Sequence, residues 1–127
     1  MRILFFIIAF LGMNVMTFAQ NNFVSLDPVA FSKSLSKDPN AVLLDVRTDA
    51  EYNNNSHLKN SISADIQSDK FKQVISSIDK SKTIYVYCAV GGRSAVAATK
   101  LKGEGFTKVY NLQGGLNAWK DMSLPVE

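Results

Sequence analysis

The feature that most constrains the fold is an apolar run, residues 84–88, that ends in the only cysteine of the chain, Cys88. Residues 89–92, which follow, include two glycines, and the segment 93–102 is predicted to be a helix. A strand, a short loop and a helix in direct succession are typical of an α/β sheet, whose loops lie beyond the carboxyl ends of the strands. The loop N–H groups and the helix N-terminus can therefore converge on the sulfur and favour its thiolate form.

The same alternation runs through the rest of the chain. Apolar runs predict further strands at 41–46 and 109–112, with a briefer one at 61–64. Helical spacing and turn residues predict helices at about 28–37, 48–52, 71–78 and 116–120, the last after a Gly-Gly hinge at 114–115. The pattern predicts an α/β domain with a mostly parallel sheet.

The first residues differ in composition from the others. Arg2 supplies a positive start, residues 3–16 are apolar except for Gly12 and Asn14, and Ala19 is a small residue at the end of the segment. This layout predicts a secretory signal peptide at 1–19, a domain at 20–127 and a periplasmic or secreted protein with no membrane attachment after cleavage. The alternative is an uncleaved anchor, but the stretch is short for a membrane span.

Composition excludes several classes of protein. The chain of 127 residues, 46% of them hydrophobic, is long enough for one core but not for two. The net charge of +3 comes from lysines scattered among acids, which indicates a solvated surface and no nucleic-acid partner. One histidine and one cysteine cannot build a metal site.

The lone cysteine is interpreted as a nucleophile. An exported protein with one thiol keeps it either buried and inert or for its reactivity. The glycines, Arg93 and the helix start beside Cys88 favour reactivity. Only four residues separate Cys88 from Arg93, whereas cysteine-dependent phosphatases use a longer loop. A tighter loop suits a sulfur atom better than a phosphoryl group, so a phosphatase or arsenate reductase of related fold is the disfavoured alternative.

Four segments, in the same order along the chain, resemble signatures of the rhodanese family of sulfurtransferases, namely residues 42–58, 88–94, 110–119 and 124–126. The resemblance implies a five-stranded parallel sheet flanked by helices on both faces, with the cysteine loop at its centre. It implies catalysis by Cys88 as a persulfide carrier, without a cofactor. The residues that it implies for substrate binding are Ala89, Val90, Gly91, Gly92, Arg93, Ser94 and Arg47.

Individual roles follow from the same resemblance, with alternatives for both arginines. Arg93 either orients the loop and attracts an anionic donor or forms a structural salt bridge, and Arg47 is expected to pair with Asp45 or Glu51 rather than with substrate. The Ser94 hydroxyl is expected to help hold the loop. His57 is expected to make a structural hydrogen bond rather than to act as a base, and Tyr52, Phe106 and Trp119 are expected to pack in the core.

The chain departs from the family pattern in two places. After His57 the family usually continues with Ile-Pro-Gly-Ala, whereas residues 58–61 read Leu-Lys-Asn-Ser, which leaves the local turn unpredicted. Many members that use thiosulfate carry a basic residue just after the cysteine, whereas this chain has Ala89 and Val90. Thiosulfate is therefore predicted to be a weak donor.

These observations lead to one main hypothesis and one alternative. The main hypothesis is an exported sulfurtransferase that moves sulfane sulfur from a donor such as thiosulfate to cyanide or a thiol through a Cys88 persulfide. The alternative is a sulfur-carrier or interaction module that hands the persulfide to a protein partner, for which an apolar loop tip is suited.

Overall fold

The structure, a computed structural model that describes residues 22–127, contains one five-stranded parallel sheet. Its strands are β1 (Val24–Leu26), β2 (Val42–Asp45), β3 (Ile62–Ser63), β4 (Ile84–Tyr87) and β5 (Val109–Leu112). They lie side by side in the order β1-β5-β4-β2-β3, so β4 is the central strand. The prediction of a five-stranded parallel sheet with the cysteine loop at its centre is confirmed.

Five helices connect and flank these strands. They are α1 (Pro28–Ser36), α2 (Asp49–Asn54), α3 (Lys70–Ser76), α4 (Gly92–Gly103) and α5 (Gly115–Asp121). The predicted bounds differ from these by a few residues because helix and strand ends depend on capping as well as on pattern. Cys88 lies just beyond β4 rather than within it, and α4 begins before Arg93.

Each face of the sheet carries its own apolar cluster because side chains alternate along β4. Ile84, Val86 and Cys88 point to one face, which the buried residues of α3 and α4 cover. Tyr85 and Tyr87 point to the other face, which α1 and α5 cover. Helices therefore lie on both faces, as the resemblance implied.

The turn that departs from the family pattern is well formed. Asn60 adopts a left-handed conformation with φ of 64°, which Asn tolerates better than most residues. The Ser61 N–H and hydroxyl both donate to the Leu58 carbonyl, at 3.1 and 2.6 Å. An Asn and a Ser thus close this turn without the family's Pro-Gly pair.

The predicted signal peptide at 1–19 and the domain start at residue 20 lie outside the described residues, so both stay predictions. Within residues 22–127, no helix combines the length and the apolar character needed to cross a membrane.

Candidate active site

The loop after β4 turns tightly around the sulfur of Cys88. Gly91 has φ of +107°, a conformation that side chains rarely adopt, and α4 begins at the next residue. This turn brings the first residues of α4 back over the end of β4. Cys88 itself is 0% exposed, so the loop and the helix together enclose its thiol.

Three polar groups of the loop and helix contact the sulfur. The N–H groups of Gly91 and Ser94 donate to Sγ at 3.1 and 3.4 Å. The Ser94 hydroxyl lies 3.4 Å from Sγ and 3.1 Å from the Gly91 carbonyl. With a neutral thiol the S–H donates to this hydroxyl; with a thiolate the hydroxyl can turn its proton to the sulfur. Ser94 therefore helps hold the loop, as predicted, and also contacts the sulfur through its N–H and its hydroxyl.

Two opposing effects act on the pKa of the Cys88 thiol. Burial raises this pKa, but hydrogen bonds from the Ser94 hydroxyl and from the N–H groups of Ser94, Gly91 and Val90 lower it by more. The net pKa lies below the ordinary value of a cysteine. Since the thiolate is the nucleophilic form, the loop is built to activate this sulfur.

The remaining loop residues form the mouth of the site. Val90 is at the tip and is 66% exposed, and a side chain added at Gly92 would meet nothing within 4 Å. The carbonyls of Cys88 and Ala89 face away from the mouth and accept N–H bonds from the first turn of α5. Of the predicted residues 88–94, Gly91 and Ser94 hydrogen-bond the Cys88 sulfur.

Arg93 forms a salt bridge, one of its two predicted roles. Its guanidinium donates to both carboxylate oxygens of Glu51, at 2.6 and 3.0 Å. The hydrogen bond from Arg93 lowers the pKa of Glu51 to about 2. Glu51 is also tied to Thr48 by the capping box at the start of α2. The sequence signal that could have indicated this partner is the position of Glu51 after β2, at the same sheet edge as the loop.

Arg47 lies at the end of the neighbouring strand and not in the loop. It is 3% exposed and donates through Nε and Nη2 to the carboxylate of Asp45, with a closest distance of 2.6 Å. It also donates to the Ser56 carbonyl at 3.0 Å. The expected pairing with Asp45 is confirmed. The contacts of Arg47 within residues 22–127 do not include the cysteine loop, so they give no support to its implied place in substrate binding.

His57 has a structural position, though not the hydrogen bond that was expected. Its backbone N–H and carbonyl pair with the carbonyl and N–H of Glu127, at 2.9 and 2.8 Å, and its ring stacks on Tyr52. The ring atom Nδ1 is buried and has no hydrogen-bond partner within residues 22–127. The backbone hydrogen bonds hold Glu127 beside His57, and the imidazole Nε2 lies 4.0 Å from a carboxylate oxygen of the same residue. Tyr52 packs on this ring, while Phe106 and Trp119 are buried in the two clusters as predicted.

Residues 22–127 contain no group of three or more His, Cys, Asp or Glu side chains that could hold a metal ion. The chemistry that this arrangement offers is that of an activated thiolate.

Comparison with known proteins identifies the family. The family model for the rhodanese-like domain matches residues 29–122. A thiosulfate sulfurtransferase, GlpE, from Pseudomonas savastanoi pv. phaseolicola is 36% identical over 84 residues, which are 66% of this chain and 76% of that protein. Similar domains also occur in larger enzymes of other activity. A tRNA uridine(34) hydroxylase from Escherichia coli is 31% identical over 70% of this chain, which corresponds to 27% of the hydroxylase.

Solved structures show the same fold. The rhodanese-like domain of the Alr3790 protein from Anabaena has a TM-score of 0.70 and 35% identity, over 81% of this chain and 77% of that one. A polysulfide-sulfur transferase homodimer from Wolinella succinogenes also has a TM-score of 0.70, with 28% identity over 83% of this chain and 78% of that one. The sheet, the loop around Cys88 and these matches together show that the chain belongs to the rhodanese-like domain family.

Proposed function

We propose that the protein is a sulfurtransferase that moves sulfane sulfur from a donor such as thiosulfate to cyanide or a thiol through a persulfide on Cys88. The observation that carries the proposal is the enclosed thiol whose pKa is lowered by N–H and hydroxyl donors of its own loop. The names of relatives such as the GlpE sulfurtransferase support the reaction class.

The reaction has two displacement steps. The Cys88 thiolate attacks the outer sulfur of thiosulfate, a new S–S bond forms, and the S–S bond of thiosulfate breaks with its electron pair leaving on sulfite. Cyanide or a thiolate then attacks the outer sulfur of the persulfide, and the electron pair of the broken S–S bond returns to Cys88. The N–H groups of Gly91 and Ser94 stabilise the charge on sulfur before and after each step.

A specific observation favours the alternative, in which the Cys88 persulfide passes its outer sulfur to a thiol on another protein. Arg93 is neutralised by Glu51, and the loop tip is an exposed valine, Val90. These features suit docking of an uncharged surface better than capture of a small dianion. The Wolinella relative is a polysulfide-sulfur transferase, which agrees with donors other than thiosulfate in this family.

Intact-protein mass spectrometry tests the function directly. We expect the protein to gain the mass of one sulfur atom on incubation with thiosulfate or polysulfide, and to lose it to cyanide with formation of thiocyanate. The variant Cys88→Ser, which changes one buried atom and should keep the fold, is expected to gain nothing. The proposal would be overturned if neither donor added sulfur to the folded wild type, or if Cys88→Ser transferred sulfur at the wild-type rate.

We propose further that the protein acts outside the cytoplasm, in the periplasm or after secretion, because residues 1–19 have the layout of a signal peptide. Mass mapping of the N-terminus in fractionated cells tests this. A mature protein that begins at Gln20 in the periplasmic or secreted fraction is the expected result, and a protein that retains Met1 in the membrane pellet contradicts it.

A further inference from the structure

The first turn of α5 lies directly behind the cysteine loop. The N–H of Leu116 donates to the Cys88 carbonyl at 2.8 Å, and the N–H of Asn117 donates to the Ala89 carbonyl at 3.0 Å. The first N–H groups of a helix have no partner within the helix, so they are free to bond a neighbouring segment. Here they bond the two peptide groups with which the loop begins.

These two bonds also determine where the opposite sides of the same peptide groups point. In a trans peptide the C=O and the following N–H point in opposite directions. When the Ala89 carbonyl faces α5, the N–H of Val90 points away from α5, and this N–H contributes to lowering the pKa of the Cys88 thiol. The helix therefore sets the orientation of a donor that it does not touch.

Gly115 is what allows α5 to come so close. An added Cβ at this position would lie 2.5 Å from the backbone carbon and oxygen of Ala89 and 2.6 Å from the Cys88 carbonyl oxygen. Gly115 also has φ of +62°, in the left-handed region. Both constraints act on backbone, which cannot move aside as a flexible side chain can.

The rest of α5 is anchored in the core, so the loop rather than the helix must yield to any added side chain. Leu116 and Trp119 are 2% and 5% exposed within the cluster on the α1 face. The Trp119 Nε1–H also donates to the Pro125 carbonyl at 3.0 Å. A helix fixed in this way can act as a rigid support for the loop.

We propose that Gly115 is a positioning residue for the nucleophile: it lets the first turn of α5 hold the Cys88 and Ala89 peptide groups so that the loop N–H groups face the sulfur. The inference rests on the proposed function, because it deepens the account of the same site. Gly115 therefore does more than form a flexible hinge with Gly114, because a hinge would tolerate a small side chain.

The thiol pKa of Gly115→Ala tests the proposal. Because Cys88 is the only cysteine, its thiolate absorbance in the ultraviolet and its rate of alkylation both report this one group as pH is varied. We expect the thiol pKa to rise by about one unit, which is about tenfold less thiolate at a pH below both pKa values. The matched control is Gly105→Ala, which has the same kind of strain with φ of +100° but would meet only the side chain of Lys80. It should lose stability and keep the wild-type thiol pKa.

A second variant decides the matter if Gly115→Ala does not fold. Asn117→Pro replaces the N–H that bonds the Ala89 carbonyl by a proline ring carbon, in the first helical turn, where no hydrogen bond within the helix is lost. A smaller rise in the thiol pKa is expected. The proposal is overturned if either variant is folded and titrates as the wild type does. Because the titration uses no sulfur donor, its outcome is independent of sulfur uptake, which tests the proposed function separately.

Discussion

The carboxyl ends of β2 and β4 lie side by side. β2 ends in a buried polar residue, Asp45, and β4 is followed by one, Cys88, with an arginine further along the chain in each case. Asp45 and Cys88 are each 0% exposed. At β2, Arg47 bonds both carboxylate oxygens of Asp45, so the charge is satisfied inside the protein. At β4, the sulfur receives N–H donors, residues 22–127 supply no cation paired with it, and the Arg93 side chain bonds Glu51 instead.

Under the proposed function, the difference is that between a structural site and a reactive site at the same sheet edge. Burial and a nearby arginine occur at both positions. What differs is that the Asp45 carboxylate is paired with Arg47, whereas the loop around Cys88 presents N–H donors to the sulfur, where charge would develop in the proposed reaction. Because their charges are paired with each other, Asp45 and Arg47 stabilise the fold and offer no unpaired charge to a substrate.

The largest expected effect separates these two sites by stability. Asp45→Asn leaves the Arg47 guanidinium buried without its counter-ion, and we expect a loss of about 3 kcal/mol in the free energy of unfolding, measured by urea denaturation. The thiol pKa of the folded variant should stay unchanged. The matched control is Asp49→Asn, which breaks the exposed pair with Lys70 and should cost far less. Equal losses in the two variants would contradict the comparison.

An intermediate effect concerns the salt bridge of Arg93. Hydrogen bonding to Arg93 lowers the pKa of Glu51 from 4.5 to about 2 in the folded protein. The stabilisation of the fold by the Arg93–Glu51 salt bridge is therefore complete above pH 4.5 and disappears as the pH falls toward 2. Because both side chains are partly exposed, we expect the free energy of unfolding of Glu51→Gln to be about 1 to 2 kcal/mol lower than that of the wild type near neutral pH.

Unfolding free energies of the two proteins, measured across this pH range, check that prediction. Their difference should shrink steadily as the solution becomes more acidic. A difference that stays constant with pH would show that Glu51 contributes through packing or capping and not through its charge.

The smallest expected effect tests whether the mouth of the site lacks a usable cation. Val90→Lys places a positive charge at the loop tip, and an added cation near a dianion is worth on the order of 1 kcal/mol, or about fivefold in the KM for thiosulfate. Steady-state kinetics should show a lower KM. The control Val24→Lys puts the same charge on the amino end of the edge strand β1 and should change nothing. If the wild type already saturates at low thiosulfate and Val90→Lys does not lower the KM, the loop amides capture the anion. That result would favour the enzyme that uses small-molecule donors over the sulfur carrier that docks a protein partner.

Much of the fold and of the site was predictable because the signals are local. The run 84–88, its glycines and the following helix lie within one short segment, so the loop around Cys88 could be expected from residue types alone. The pairing of Arg47 with Asp45 was predictable for the same reason, since two residues at the end of one strand cannot be far apart.

Other features depend on contacts between distant parts of the chain, which no local pattern specifies. Arg93 meets Glu51 across 42 positions of sequence, and the backbone of His57 pairs with that of Glu127. Gly115 looked like a hinge, yet its lack of a side chain matters because Ala89 packs against it. The sequence by itself therefore determined which strands form and where Cys88, the proposed nucleophile, lies. Only the tertiary structure decided which donors face the sulfur and which charges are already neutralised, because these depend on how β4, α2 and α5 meet at one edge of the sheet.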